Sequence, residues 1–270
     1  MNANRFPPTR MRRLAVLCAV LSLPAHALSL SDQPLFLGGN ISPNVMFTLD
    51  DSGSMQWEVM PEDYLYVYYM FPTGSNIYGG NDYTNYVPEF STSNIYNVML
   101  RSSDVNKIYY NPEVTYQPWS NQDGSLMANA SPGCAYYNPA NTAKGCLTLN
   151  SNQTMSARWL QSNGTFTSST NKTFYPAVYF KYNSGSIWST GNYTQVEIKS
   201  STPTYTGGPN RTDCAAKPTC TYAEEIQNFA NWFTYYRSRL LLARAGTGKH
   251  HDRRCFHRCC GTRCSAIHRY

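Results

Sequence analysis

Apolar and polar positions divide the chain into a strand-like front, a long aromatic middle and one helical stripe. Val45, Met46, Phe47, Thr48 and Leu49 form a short, mostly apolar run, with Pro43 before it and a Ser/Gly-rich turn after it. A run of that length between turn signals predicts a short buried strand. Residues 57–221 read as short extended pieces separated by Asn-Pro, Gly-Gly and Ser-Gly punctuation. Within them, residues 62–71 and 174–182 carry the dense aromatics typical of strands. Tyr193, Val196 and Ile198 are imperfect markers of a further strand over 193–199. Two short copies, Tyr109-Tyr110-Asn111-Pro112 and Tyr136-Tyr137-Asn138-Pro139, read as recurrent turns that anchor aromatics. They are too few to define a solenoid. The period then changes. Thr221 and Glu224 have capping-box spacing, and Ile226, Phe229, Ala230, Phe233, Leu240 and Leu241 follow a helical stripe to about residue 245. Arg237 is the polar break in that stripe, which reads as core rather than as a cofactor box.

Both ends differ from this body. Arg5, Arg10, Arg12 and Arg13 precede an apolar segment of 10 residues, Leu14 to Leu23, and Ala25-His26-Ala27 follows. This predicts a cleaved secretory signal over 1–27. The apolar segment is too short for a membrane span, which needs about 20 residues. Nothing later is apolar enough to be one. At the other end, residues 246–270 hold four of the nine Cys, Cys255, Cys259, Cys260 and Cys264, and four of the five His. Zinc ligation is one reading of these residues, but no C-x2-C pair faces a second pair at finger spacing. The reading preferred is an aberrant, out-of-frame tail without structure.

With the ends set aside, the charge changes sign. Residues 28–245 carry 12 basic and 15 acidic side chains, so the overall +6 comes from the ends and gives no argument for nucleic acid. Abundant Tyr, Asn, Ser and Thr with few charges suits an exported, β-rich, loop-heavy protein. Four cysteines remain in the body. In an oxidising compartment their local spacing predicts two disulfides, Cys134–Cys146 and Cys214–Cys220. The body has no histidine. A Ser-His mechanism at the Asp-Ser-Gly sequence therefore lacks its base, and the chain is expected not to be an enzyme.

Candidate chemistry lies at Asp50-Asp51-Ser52-Gly53-Ser54, directly after the first apolar run. The same composition makes a good turn, because Asp and Ser bond their own backbone and Gly supplies positive φ. At the carboxyl end of a strand, where open α/β sheets bind ligands, one carboxylate and two hydroxyls also suit a hard cation such as Mg²⁺. Asp50, Ser52 and Ser54 resemble the first loop of the metal-ion-dependent adhesion site of von Willebrand factor A domains. That resemblance implies that these three hold the metal, that a Thr and an Asp on later loops complete the site, and that its open position takes a partner's carboxylate. Asp51 is the less certain, loop-shaping neighbour.

In such domains the helix follows the metal loop closely, whereas here some 165 residues, 57–221, intervene. That order narrows the resemblance to the PilC/PilY family of type IV pilus tip-associated proteins. It is carried by residues 43–55, by Ile108 to Pro112 with Thr115 to Trp119, by Tyr175 to Phe180, and by Asn228 to Phe233 with Tyr235 to Arg239. The fold class implied is α/β: an incomplete, doubly wound A-like domain at 28–56 and 222–245, interrupted by a β-rich, loop-heavy insertion at 57–221 with two disulfides. The resemblance also implies pilus assembly, surface attachment and twitching motility. Minor pilins of the tip complex and a host or abiotic surface would be the partners, and the periplasm, cell surface or pilus tip the location. Family members continue into a C-terminal propeller with a Ca²⁺ site that has no counterpart in this sequence. The chain is therefore expected to be a fragment whose Mg²⁺ affinity is on the order of millimolar or poorer. Its helix is expected to lack the sheet it would pack on, leaving residues 226–245 poorly protected. A secreted carbohydrate-binding module, with aromatics stacking on sugars, is the alternative.

Overall fold

The computed structural model describes residues 48, 50, 52–60, 67–73, 77 and 86–258, with the backbone alone from 249 onward. All but Thr48 fall in one compact unit, Leu49–Tyr270. The predicted signal segment, Asp51 and residues 259–270 lie outside the described residues. So does most of the first predicted strand, of which only Thr48 is described; it is exposed and is not in a strand.

The β structure consists of small, separate sheets. β1 (Tyr86–Pro88) pairs in parallel with β4 (Gln153–Leu160), and β4 pairs antiparallel with β5 (Thr170–Phe174). Three two-stranded ribbons accompany them: β2 (Ala135–Tyr136) with β3 (Cys146–Leu147), β6 (Val178–Tyr182) with β7 (Tyr193–Glu197), and β8 (Thr204–Thr206) with β9 (Thr219–Thr221). The strand expected over 193–199 is thus present as β7. The aromatic segment 174–182 is split between β5 and β6, with Pro176 in the break. Of residues 62–71, those described, 67–71, do not form a strand. Their backbone groups pair outside any sheet: the Tyr68 carbonyl accepts the Glu58 N–H at 2.8 Å. Met70 donates its N–H to the Glu58 carboxylate at 2.6 Å, and its carbonyl accepts from Arg101.

Three helices are described: α1 (Ile95–Leu100), α2 (Tyr222–Tyr235) and α3 (Arg239–Arg258). The capping box at the start of α2 forms as read. Thr221 Oγ1 accepts the Glu224 N–H at 3.3 Å, and the Glu224 carboxylate accepts the Thr221 N–H at 2.7 Å. The Glu224 pKa is lowered, chiefly by the Thr221 backbone bond and then by a bond from the Ala215 N–H. This contribution is present above the ordinary Glu range and is lost as pH falls through the lowered value. Thr221→Ala should cost about 1 kcal/mol in denaturant unfolding. A loss within experimental error would show that the cap is redundant.

The single helix expected from 221 to about 245 is broken at Tyr236, Arg237 and Ser238. The reason is competition for backbone groups. The Tyr235 carbonyl, which would accept from Arg239 in a continuous helix, takes the Trp119 indole N–H at 2.9 Å, while the Arg239 N–H donates to the Trp57 carbonyl at 3.1 Å. Ser238 then starts α3, its hydroxyl accepting the Leu241 N–H at 3.3 Å. The tail expected to lack structure from 246 onward is helical as far as Arg258. Lys249, Arg253, Arg254 and Arg258 are good helix formers and support the helix beyond Ala245 despite Gly246 and Gly248.

Helix α2 is the centre of the largest apolar cluster, where residues of segment 57–221 stand in place of the sheet that the resemblance implies. Its stripe residues Ile226, Phe229, Ala230 and Phe233, together with Trp232, are buried against residues of the segment read as an insertion. Ring contacts include Phe71–Phe233 at 5.1 Å, Tyr109–Trp232 at 4.7 Å and Tyr110–Phe229 at 4.9 Å. Segment 57–221 and the helix therefore share the largest apolar cluster. The Tyr-Tyr-Asn-Pro copies act as read. Asn111 and Asn138 each accept, through their side chains, the N–H two residues on, and Tyr109, Tyr110 and Tyr137 are buried.

Candidate functional site

The Asp50 loop is built by its own hydrogen bonds. The Ser52 N–H donates to Asp50 Oδ1 at 2.8 Å, the Ser52 hydroxyl to Asp50 Oδ2 at 3.0 Å, and the hydroxyls of Ser52 and Ser54 lie 3.0 Å apart. The turn continues as a 3-10 turn, Gly53–Gln56, closed by the Trp57 N–H on the Ser54 carbonyl at 3.2 Å. Asp50, Ser52 and Ser54 are thus brought together with their oxygens adjacent. Asp50 and Ser52 are exposed and Ser54 is half-buried. The Asp50 carboxyl is held below the usual carboxylate range, first by the Ser52 backbone N–H and then by its hydroxyl, so it stays ionised at neutral pH.

One carboxylate and two adjacent hydroxyl oxygens fit part of the shell of a hard cation such as Mg²⁺, which keeps several waters. They would supply three oxygens of one sign of polarity, and Asp50 the only formal charge. Among the described residues, no group of three or more His, Cys, Asp and Glu could hold a metal.

The loop is fastened to the core by ion pairing that the sequence did not reveal. Glu58, 2% exposed, meets Arg237, 1% exposed, at 2.7 Å. Arg237 also donates to the carbonyls of Phe233 and Tyr137. Arg239 lies with its guanidinium 5.0 Å from the Trp57 ring centre and donates to the Val59 carbonyl at 2.9 Å. The break between α2 and α3 thus grips the segment just after the Ser54 turn. A second buried pair, Arg211–Glu225 at 2.8 Å, is extended by Asp213 and by the Tyr110 hydroxyl, which donates to Glu225 at 2.8 Å. The signal for the first pair was Arg237 interrupting an apolar stripe, since a buried Arg requires a carboxylate. Its partner lies 179 residues away and is not recoverable from spacing.

The four body cysteines form the two disulfides read from the sequence, Cys134–Cys146 and Cys214–Cys220. The first staples the β2–β3 ribbon. The second anchors β9 beside Gly207, where an added Cβ would stand 2.9 Å from Cys220 Sγ. No helix among the described residues is long and apolar enough to cross a membrane.

The chain is similar to type IV pilus biogenesis factors PilY1 of Pseudomonas aeruginosa. It is 27% identical over 237 residues to that of strain PAK, covering 84% of this chain and 16% of the relative. It is 38% identical over 104 residues to that of strain UCBPP-PA14, covering 38% of this chain and 7% of the relative. A third, from strain ATCC 15692 (PAO1), is 28% identical over 236 residues, again 84% of this chain and 16% of the relative. No family model and no solved structure matches. The chain thus spans about a sixth or less of the length of the curated relatives it matches. Alignment over most of its length with these factors supports a PilC/PilY-family relationship for this chain.

Proposed function

We propose that this chain serves type IV pilus biogenesis as an exported binding protein, not as an enzyme, with the loop of Asp50, Ser52 and Ser54 as the metal loop of a von Willebrand A-like domain. The observation that carries the reading is the gathering of three ligand-type oxygens within about one hydrogen-bond length of each other, in a chain related to pilus biogenesis factors. In this reading Mg²⁺ binds through Asp50 and the two hydroxyls, and its open position takes a carboxylate of a partner protein. Minor pilins at the tip complex and a host or abiotic surface are the partners proposed, and the pilus or cell surface the location.

Isothermal titration of the full chain with Mg²⁺ should show weak binding, on the order of millimolar. Asp50→Asn, which keeps the turn's acceptor oxygen but removes the charge, should lower that affinity at least about tenfold. Unchanged binding in Asp50→Asn would overturn the assignment of the metal to this loop. For the pilus role, sheared pili from cells expressing the chain should carry it by immunoblot. Its confinement to the cytoplasm would overturn that role.

A further inference from the structure

We propose that the cavity between the β6–β7 ribbon and the end of β5 is a binding site for one neutral sugar ring, a hexopyranose, independent of the Asp50 loop. The cavity has a volume of about 250 Å³. This lies just below the roughly 300 Å³ at which pockets for drug-sized ligands begin, so it suits a single ring.

Its surface is divided as a sugar requires. The pairing register sets Val178 opposite Glu197 and Phe180 opposite Gln195, so these four share one face of the ribbon. Val178, Phe180 and Phe174 are nearly buried and, with the edge-exposed part of half-buried Phe90, contribute a small apolar patch to a mainly polar lining. A pyranose presents axial C–H groups to such a surface while its hydroxyls point outward.

The polar lining sorts into groups already engaged and groups that are not. Asn97 is committed to Arg101 and to the Ser91 carbonyl, and Thr173 shares its hydroxyl with Thr154 at 2.8 Å. The exposed side-chain amides of Asn152 and Gln195 have no hydrogen-bond partner among the described residues. Each amide carries both donors and an acceptor, the complement of a hydroxyl, which is also both. Glu197 and Lys199 at the edge pair with each other, and the Lys199 ammonium lies 4.8 Å from the Tyr175 ring centre. Their charges cancel, and no other charged side chain lines the cavity. An ionic ligand would therefore find no uncompensated counter-charge, whereas a neutral polyhydroxylated one loses nothing.

The test uses the full chain in EDTA, so that failure of the metal loop cannot affect the result. Saturation-transfer NMR is recorded with the methyl glycosides of glucose, galactose, mannose and N-acetylglucosamine, and with sialic acid as a charged probe. At least one neutral glycoside should bind, on the order of millimolar, as a one-ring ligand with few polar partners does. The double variant Asn152→Ala/Gln195→Ala changes only exposed side chains and should weaken binding about tenfold. Trp188→Ala, at the exposed Trp of the loop joining β6 to β7, should leave it unchanged. The proposal is overturned if no neutral glycoside binds, if only sialic acid binds, if the double variant binds like the parent, or if Trp188→Ala abolishes binding.

Discussion

Replacing Arg237 with methionine should lower the unfolding free energy by about 3–5 kcal/mol, because it strands a carboxylate that has no access to water. Glu58 is 2% exposed, and its Oε1 lies 2.7 Å from the guanidinium. The substitution also removes the donors that satisfy the Phe233 and Tyr137 carbonyls. Burial already raises the Glu58 pKa, and the Arg237 charge opposes that rise. Without Arg237 the folded-state pKa rises further above the unfolded value. A carboxyl raised in this way binds more protons in the native state, so stability increases as pH falls. The deficit of the variant should therefore be largest at neutral pH and shrink on acidification. Adding Glu58→Gln should recover part of the loss, since the pair acts as a unit. Urea unfolding at two pH values measures all three effects. A single-variant loss below about 0.5 kcal/mol would place Arg237 in solvent and refute the buried pair.

A second large effect is expected at Trp232, which joins the Tyr109–Tyr110 segment to α2. Its ring contacts Tyr109 at 4.7 Å and Phe229 at 5.0 Å, and its indole N–H donates to the Ile108 carbonyl at 2.9 Å. Trp232→Ala should cost about 3–5 kcal/mol through lost burial and the cavity left behind. Trp232→Phe should cost less, because it keeps most of the apolar volume and loses the indole bond. Equal losses for the two variants would mean that the hydrogen bond, not the ring, holds the segment. Thermal unfolding of both variants distinguishes the cases.

The parts of the fold that were legible in the sequence are those set by neighbours along the chain. The capping box at Thr221 and Glu224, the Asn turns after the paired tyrosines, the β7 strand and the two short-range disulfides all join residues close in sequence. The Asp50 turn was legible for the same reason, since its bonds span two residues. What could not be read depends on distant partners. The break after Tyr235 follows from Trp119 and Trp57 capturing backbone groups of the helix. Residues 67–71 looked like a strand because their composition is that of one, yet Glu58 and Arg101 take their backbone groups. The stripe of α2 correctly marked a core, but the sheet supposed to receive it was inferred from resemblance, and the aromatic segment before it fills that place. The A-like domain and the later loops of a metal site belong to what the resemblance implies.

The order in which the core is connected also constrains how the protein is made. Glu58 leaves the ribosome 179 residues before its partner Arg237, and Tyr110 precedes Glu225 by 115. Helix α2 supplies the surface on which Phe71, Tyr109 and Tyr110 pack, so the largest apolar cluster cannot close until it emerges, whereas the two smaller clusters lie wholly upstream of it. Contacts of such long sequence separation fold slowly. The aromatics that pack on α2 stay exposed for as long as the helix is withheld. In a ribosome-stalled chain ending before residue 222, residues 67–71 and 108–119, which pack on α2, should remain protease-sensitive, whereas with α2 and α3 fully outside the tunnel they should become resistant.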